Sequence, residues 1–434
     1  MTSARETGSP DQSTQLPPRN SFQLLFDPLF GTIFWGKLAV GVGVWVHNVV
    51  AAILVFQITG SALWVGIVSA VQFTPQVLLA PLSGKYADRG HLVSAMVLGR
   101  IVCAIGSAGL AGWVLLTGDG LGPGPIVAAS LITGIGFTLS GPALQAIVPM
   151  IIRTGELPRA MRLNTAPLTV SRAAGPAAGA LLMLVADPAL IFALAAATHL
   201  IFVAPTSWLR KRFQASTEQH IDRDQQSFSV WSSVRHVVAD RPLLLLLIGV
   251  TAIGIGTEPT TTLGPPLAEA LGQGEQYAGL ITSAFGSGAF AGLFAGALIE
   301  RFAPRWSGGT TGLWLLTTGL IAVAVVHNPV AALIGFAVVG IGMTVALTGL
   351  TTAIQERIPA AYRGRVMALW LVCFTGSRPL AAVLDGLLAD LAGPAAAVLA
   401  TAAVVGVVAV VNRRGRVHRP AAGLRADPIR SEIL

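Results

Sequence analysis

About twelve stretches of roughly 20 apolar residues follow one another through this chain with little between them. They fall at approximately 31–58, 64–84, 92–117, 124–149, 163–186, 188–209, 242–267, 277–299, 308–327, 329–354, 366–390 and 394–411. At a rise of about 1.5 Å per residue, each is long enough to cross ~30 Å of hydrocarbon. Lipid offers the backbone no hydrogen bonds, so a spanning segment must satisfy its own N–H and C=O groups, which a helix does. The pattern therefore predicts an all-α integral membrane protein. Composition excludes a soluble globule: 53% of the 434 residues are hydrophobic and 11% are charged. Soluble domains carry about 25% charged residues, so this chain has too little polar surface to cover itself in water.

The basic residues give an orientation. Lys85 and Arg89 share one loop, Arg153, Arg159 and Arg162 another, and Arg210, Lys211, Arg212, Arg223, Arg235 and Arg241 the long central segment. Arg301 and Arg305, then Arg357, Arg363 and Arg365, and finally Arg413, Arg414, Arg416 and Arg419 continue the alternation. The intervening loops hold Asp119, Asp187, Glu269, Glu275 and Asp390 without Lys or Arg. By the positive-inside rule both termini are expected in the cytoplasm, as an even span count requires. The net charge of +8 is thus a topology signal rather than a nucleic-acid footprint. No cleavable signal peptide is expected, and residues 1–21 read as a polar, disordered stretch. Cys103 and Cys373 lie inside apolar runs, so neither a disulfide framework nor a metal site is expected.

The chain repeats itself. Gly84-Lys85-Tyr86-Ala87-Asp88-Arg89-Gly90-His91 follows the second apolar stretch, and Gly296-Ala297-Leu298-Ile299-Glu300-Arg301 ends the eighth, about 210 residues later. Gln145 to Pro149 is echoed by Gln355 to Pro359, each followed by a basic loop and a small-residue-rich span. Expected boundaries are a tail at 1–30, a six-span bundle at 31–209, a linker at 210–241, a second bundle at 242–411 and a tail at 412–434. Two parallel six-span repeats describe a large class of secondary transporter.

These motifs carry a resemblance. Gly84 to Gly90 resembles the G-x-L-a-D-R-x-G signature of the major facilitator superfamily. Pro142 to Pro149, followed by Glu156-Leu157-Pro158-Arg159-Ala160 and Leu163-Asn164, is similar to its bacterial branch of enterobactin exporters and multidrug efflux proteins. Arg363-Gly364-Arg365-Val366-Met367 is similar to the same branch ahead of span 11. The resemblance implies two pseudo-symmetric six-helix bundles in a bacterial inner membrane, working as a monomer without a cofactor. It also implies alternating access driven by a proton gradient, with a small drug-like, hydrophobic or siderophore-like molecule as substrate. It makes the loop of Gly84, Lys85, Asp88, Arg89 and Gly90, with Glu300 and Arg301 as its fainter copy, a cytoplasmic gate. Those charges also read as plain topology markers. Gly175-Pro176-Ala177-Ala178-Gly179 resembles an antiporter motif of exporters, though small residues also serve helix packing.

Ionisable groups inside hydrocarbon are costly, and each is a functional candidate. Glu258 and His47 fall at matching positions of the two halves and are expected to face a central cavity, Glu258 as the proton carrier. Asp385 is a further proton-coupling candidate, or else a solvated group near the outer surface. Arg172 and Arg378 lie midway along spans 5 and 11, either as structural ion pairs or as clamps on an anionic substrate. Trp45 and Phe285 are expected to stack a large apolar substrate, or to be core. No G-x-x-x-x-G-K-[ST] run points to nucleotide coupling, and no enzyme activity is expected. Two rival readings remain at this point: an importer of a small nutrient or organic anion, and a transport-inactive receptor or scaffold.

Overall fold

The structure, a computed structural model, describes residues 18–88, 91–153, 155–214, 240–302, 308–358 and 363–412. It is all helical. Spans 1 to 6 are Phe30–Thr59, Ala62–Asp88, Leu92–Thr117, Pro123–Ala146, Leu157–Leu182 and Pro188–Gln214. Span 7 is broken into Arg241–Thr257, Pro259–Thr262 and Gly264–Ala270; spans 8 to 10 are Gln276–Phe302, Gly308–Val325 and Pro329–Arg357. Span 11 is broken into Arg363–Gly376 and Arg378–Ala392, and span 12 is Pro394–Val411. Among the described residues, 11 helices are long and apolar enough to cross a membrane. Span 5 is not among them: Arg159, Arg162, Asn164 and Arg172 dilute its 26 residues, yet it is packed between spans 1 and 8. Spans 4, 6, 10 and 12 open on Pro123, Pro188, Pro329 and Pro394, where the missing N–H is one the helix leaves free anyway.

Two sequence expectations shift here. The helix of span 2 runs through Gly84 to Asp88, so Gly84 is helical and does not open a tight turn. Residues 18–21, the described end of the stretch expected to be disordered, are ordered. Asn20 caps a short helix, Ser21–Leu25, with a full capping box, and Leu24 is completely buried.

A carboxylate holds this segment down. Glu156, buried in the turn before span 5, accepts from Arg19 backbone N at 2.6 Å, Arg19 Nε at 2.9 Å, Arg19 Nη2 at 2.7 Å and Arg153 N at 2.8 Å. Arg19 also bonds Asp27, and Arg159 donates to the Arg19 carbonyl. The hydrogen bond from Arg19 holds the Glu156 carboxyl down to about 2. A depressed carboxyl stabilises the fold above its unfolded value, near pH 4.5, and loses that contribution as pH falls toward 2. A shift of this size is worth on the order of 3 kcal/mol at neutral pH. The amides of Ser21–Leu25, with exchange measured relative to an unprotected amide at the same pH, are therefore expected to be protected at pH 7 and to lose protection as pH falls toward 2. In Glu156→Gln, protection should be low throughout.

Spans 1–6 pack chiefly with one another, as do spans 7–12, and the halves meet where span 2 crosses span 11 and span 5 crosses span 8. Glycines make these crossings close. Gly66 lies against the Ala382 carbonyl and Gly386 against that of Ala62; Gly279 and Gly286 lie against the Pro176 and Arg172 carbonyls. An even number of spans puts residues 18 and 412 at the same end. The cross-half contacts cluster toward the opposite, far end. There Asp390 of span 11 caps the start of span 2, accepting from Ala62 N at 2.6 Å, Leu63 N at 3.2 Å and the Ser61 hydroxyl. Gln57 also bonds Glu275 across the halves.

Candidate functional site

Two prolines make the site. Pro259 and Pro379 have no N–H to donate back along spans 7 and 11, so each helix is interrupted at the preceding turn. Glu258 and Arg378 sit at those interruptions and meet: Arg378 Nε donates to Glu258 Oε2 at 2.8 Å. The carboxylate is fully buried and Arg378 is 6% exposed. The other oxygen, Oε1, accepts from Ser69 at 2.5 Å, Thr261 at 3.0 Å and Thr262 at 3.3 Å. Ser69 belongs to span 2, so a first-half hydroxyl is bonded to a second-half carboxylate. The Arg378 guanidinium also lies 3.7 Å from the ring centroid of Phe73, again on span 2. The pair thus joins the two halves through both partners.

Beside it lies a cavity that is partly open to solvent. Trp45, Asn48, Ser69, Gln72 and Phe73 line it from the first half, and Thr261, Pro265, Ala278 and Thr282 from the second. Arg172 stands nearby without a carboxylate within 4.0 Å among the described residues. Its guanidinium lies between the rings of Trp45 and Phe285, at 5.4 and 5.0 Å, and Nη1 reaches the Met343 sulfur at 3.5 Å.

Other sequence candidates lie elsewhere. His47 does not face the central cavity. Its Nδ1 is 3.0 Å from Ser107 of span 3 and its ring meets Phe192 of span 6 edge-on, inside the first bundle. Asp385 is not solvated: it is 3% exposed, accepts from Thr401 of span 12 at 2.6 Å, and its Oδ2 has no partner. Gly175 and Gly179 let span 5 approach Trp45 and Val46 of span 1, while the Pro176 carbonyl faces Gly279 of span 8. Arg89 and Gly90 lie outside the described residues. Lys85, Asp88, Glu300 and Arg301 end helices whose side chains there are likewise outside them.

Sequence reasoning passed over Lys37 and His199, although both carried the same signal of an ionisable group in an apolar stretch. Lys37 donates to Asn164 at 2.6 Å, and Asn164 donates to Gln145 at 3.0 Å. Gln145 and Asn164, which entered only as a branch signature, thus tie spans 1, 4 and 5 through Lys37, while Glu156 separately holds Arg19, just ahead of the Ser21–Leu25 helix. Ser69 gave no signal at all, since a lone serine is ordinary in a span.

The sequence profile of a family described as transmembrane secretion effector matches residues 20–426. No curated protein sequence matches the chain closely enough to count as a relative. Among solved structures, a peptide transporter, POT, superposes with a TM-score of 0.70 at 13% identity, covering 88% of this chain and 93% of that one. A bacterial homologue of the iron transporter ferroportin, inward-facing, gives 0.70 at 14% identity, covering 90% and 98%. A bacterial homologue of the human lysosomal transporter Spinster, also inward-facing, gives 0.65 at 15%, covering 90% and 96%. At these identities the likeness speaks for the fold alone.

Proposed function

The chain belongs to the transmembrane secretion effector family and is a membrane transporter of the major facilitator type, and from that we propose that it exports a small hydrophobic or siderophore-like molecule in exchange for protons. The observation that carries the coupling is the Glu258–Arg378 pair bonded across the halves by Ser69. A proton on Glu258 cancels the charge that holds Arg378 and weakens the hydrogen bond Ser69 donates to it. In an exchange cycle Glu258 takes that proton from the far side while the far end is open. It releases the proton toward the terminal side once the far end has closed, which re-forms the pair, and substrate binding then parts the halves at the far end. The family's description as a secretion effector supports the outward direction. The basic loops at the terminal end support a cytoplasmic placement of both termini in a bacterial inner membrane.

The test uses everted membrane vesicles acidified inside and a panel of fluorescent hydrophobic dyes. Dye is expected to accumulate in the lumen and to leak back when nigericin collapses the pH gradient. Accumulation that ignores the gradient would remove the coupling, and extrusion from the lumen would favour the importer. Movement of no dye at matched expression would favour the scaffold.

A further inference from the structure

Two guanidinium groups and one carboxylate approach the centre of this protein, and the carboxylate is spoken for. Arg378 holds Glu258. Arg172 has two aromatic rings and a thioether, and its buried Nε has no hydrogen-bond partner. Cation–π contacts return less than taking a cation out of water costs, so these neighbours leave the charge under-compensated. Trp45, Phe285 and Met343 come from spans 1, 8 and 10, and Arg172 itself from span 5, so the cation sits where both halves meet. The residue as a whole is partly exposed although its Nε is buried. The gap between the halves is lined by Trp45, the ring over which the Arg172 guanidinium lies. Trp45 continues from Arg172 into the cavity wall, beside Phe73 and the side-chain amides of Asn48 and Gln72, which bond each other at 2.8 Å.

We propose that Arg172 is the docking point for a singly anionic substrate with an aromatic or apolar body, most simply a carboxylate. The planar fork of the guanidinium takes both carboxylate oxygens. Trp45 and Phe73 face the body, and the two amides take a further polar group. This rests on the reading of the gap as the transport path, but it needs neither proton coupling nor a direction.

The test is equilibrium binding to the purified full-length protein in neutral detergent. The probes are 2-naphthoate, 2-naphthamide and 2-naphthylmethylammonium, which share a ring system and differ in charge. Naphthoate is expected to bind about 10- to 100-fold more tightly than the amide, and the ammonium most weakly. Arg172→Gln should bring naphthoate to the level of the amide. Should that variant fail to remain monodisperse, Arg172→Lys serves instead: the anion preference should shrink but persist, because the charge stays and the fork is lost. Equal binding of the three probes, preference for the ammonium, no saturable naphthoate binding, or a preference that survives Arg172→Gln would overturn the proposal. Loss of gradient-driven dye transport in vesicles with the naphthoate preference intact would instead count against the exporter reading alone.

Discussion

Replacing Arg378 with Ala is expected to destabilise the protein by about 3 kcal/mol, and Glu258→Gln in the same chain to recover most of it. The carboxylate is fully buried and the guanidinium nearly so. Removing Arg378 leaves the charge with only the hydroxyls of Ser69, Thr261 and Thr262. Those donors place the expected cost at the lower end of the roughly 3–5 kcal/mol typical of breaking a buried pair. Gln keeps the size of Glu258 and can still accept from Ser69, but brings no charge to leave stranded. The readout is thermal unfolding of the single and double variants in detergent, as a double-mutant cycle. If Arg378→Ala and the double variant melt together, the pair does not carry this energy. Transport separates the second consequence. Glu258→Gln has no proton to exchange, so gradient-driven accumulation should be lost while exchange of substrate between equal pools persists. Full pH-driven transport by Glu258→Gln would sink the coupling scheme.

The helices were legible because hydropathy is a signal along the chain, and lipid makes it strong. Partners were not, because they are set by helix rotation and by contacts between distant segments. Arg378 and Glu258 were both singled out, but nothing along the sequence pairs residues 120 positions apart. His47 misled through symmetry. It matches Glu258 in position, yet span 1 runs unbroken from Phe30 to Thr59 while span 7 is interrupted at Pro259. Glu258 sits at that interruption, whereas His47, on an unbroken helix, faces Ser107 and Phe192 of its own bundle. For Asp385 only the solvated alternative falls: counting turns from Ala392 puts it near a surface, but Thr401 of span 12 covers it. Residues 18–21 misled through composition. Their polarity reads as disorder until Glu156, far along the chain, supplies the partner.

Replacing Gly286 with Val is expected to move the protein out of the far-end-closed state seen here. A Cβ at Gly286 would lie 2.6 Å from the Arg172 carbonyl carbon and 2.7 Å from Ala173 Cα, both on span 5 of the other half. Backbone cannot yield as a flexible side chain does, and overpacking of this kind costs about 1–3 kcal/mol. The cost falls on one state only, because spans 5 and 8 separate at this level when the far end opens. Differential cost is what shifts an equilibrium, and this amount corresponds to about 5- to 150-fold. Gly288 supplies the control. Its Cβ would meet Ala337 of span 10, a neighbour within the same half, so Gly288→Val burdens both states and should lower stability without a shift. Spin labels at Gly120 and His327, exposed far-end positions in opposite halves, report the outcome once Cys103 and Cys373 are replaced. A longer-distance population should grow in Gly286→Val and not in Gly288→Val. Asp390→Asn, which weakens the cap on span 2 without adding bulk, should move the same distribution in the same direction by less. Identical distributions in all three variants would mean that these crossings do not hold the far end shut.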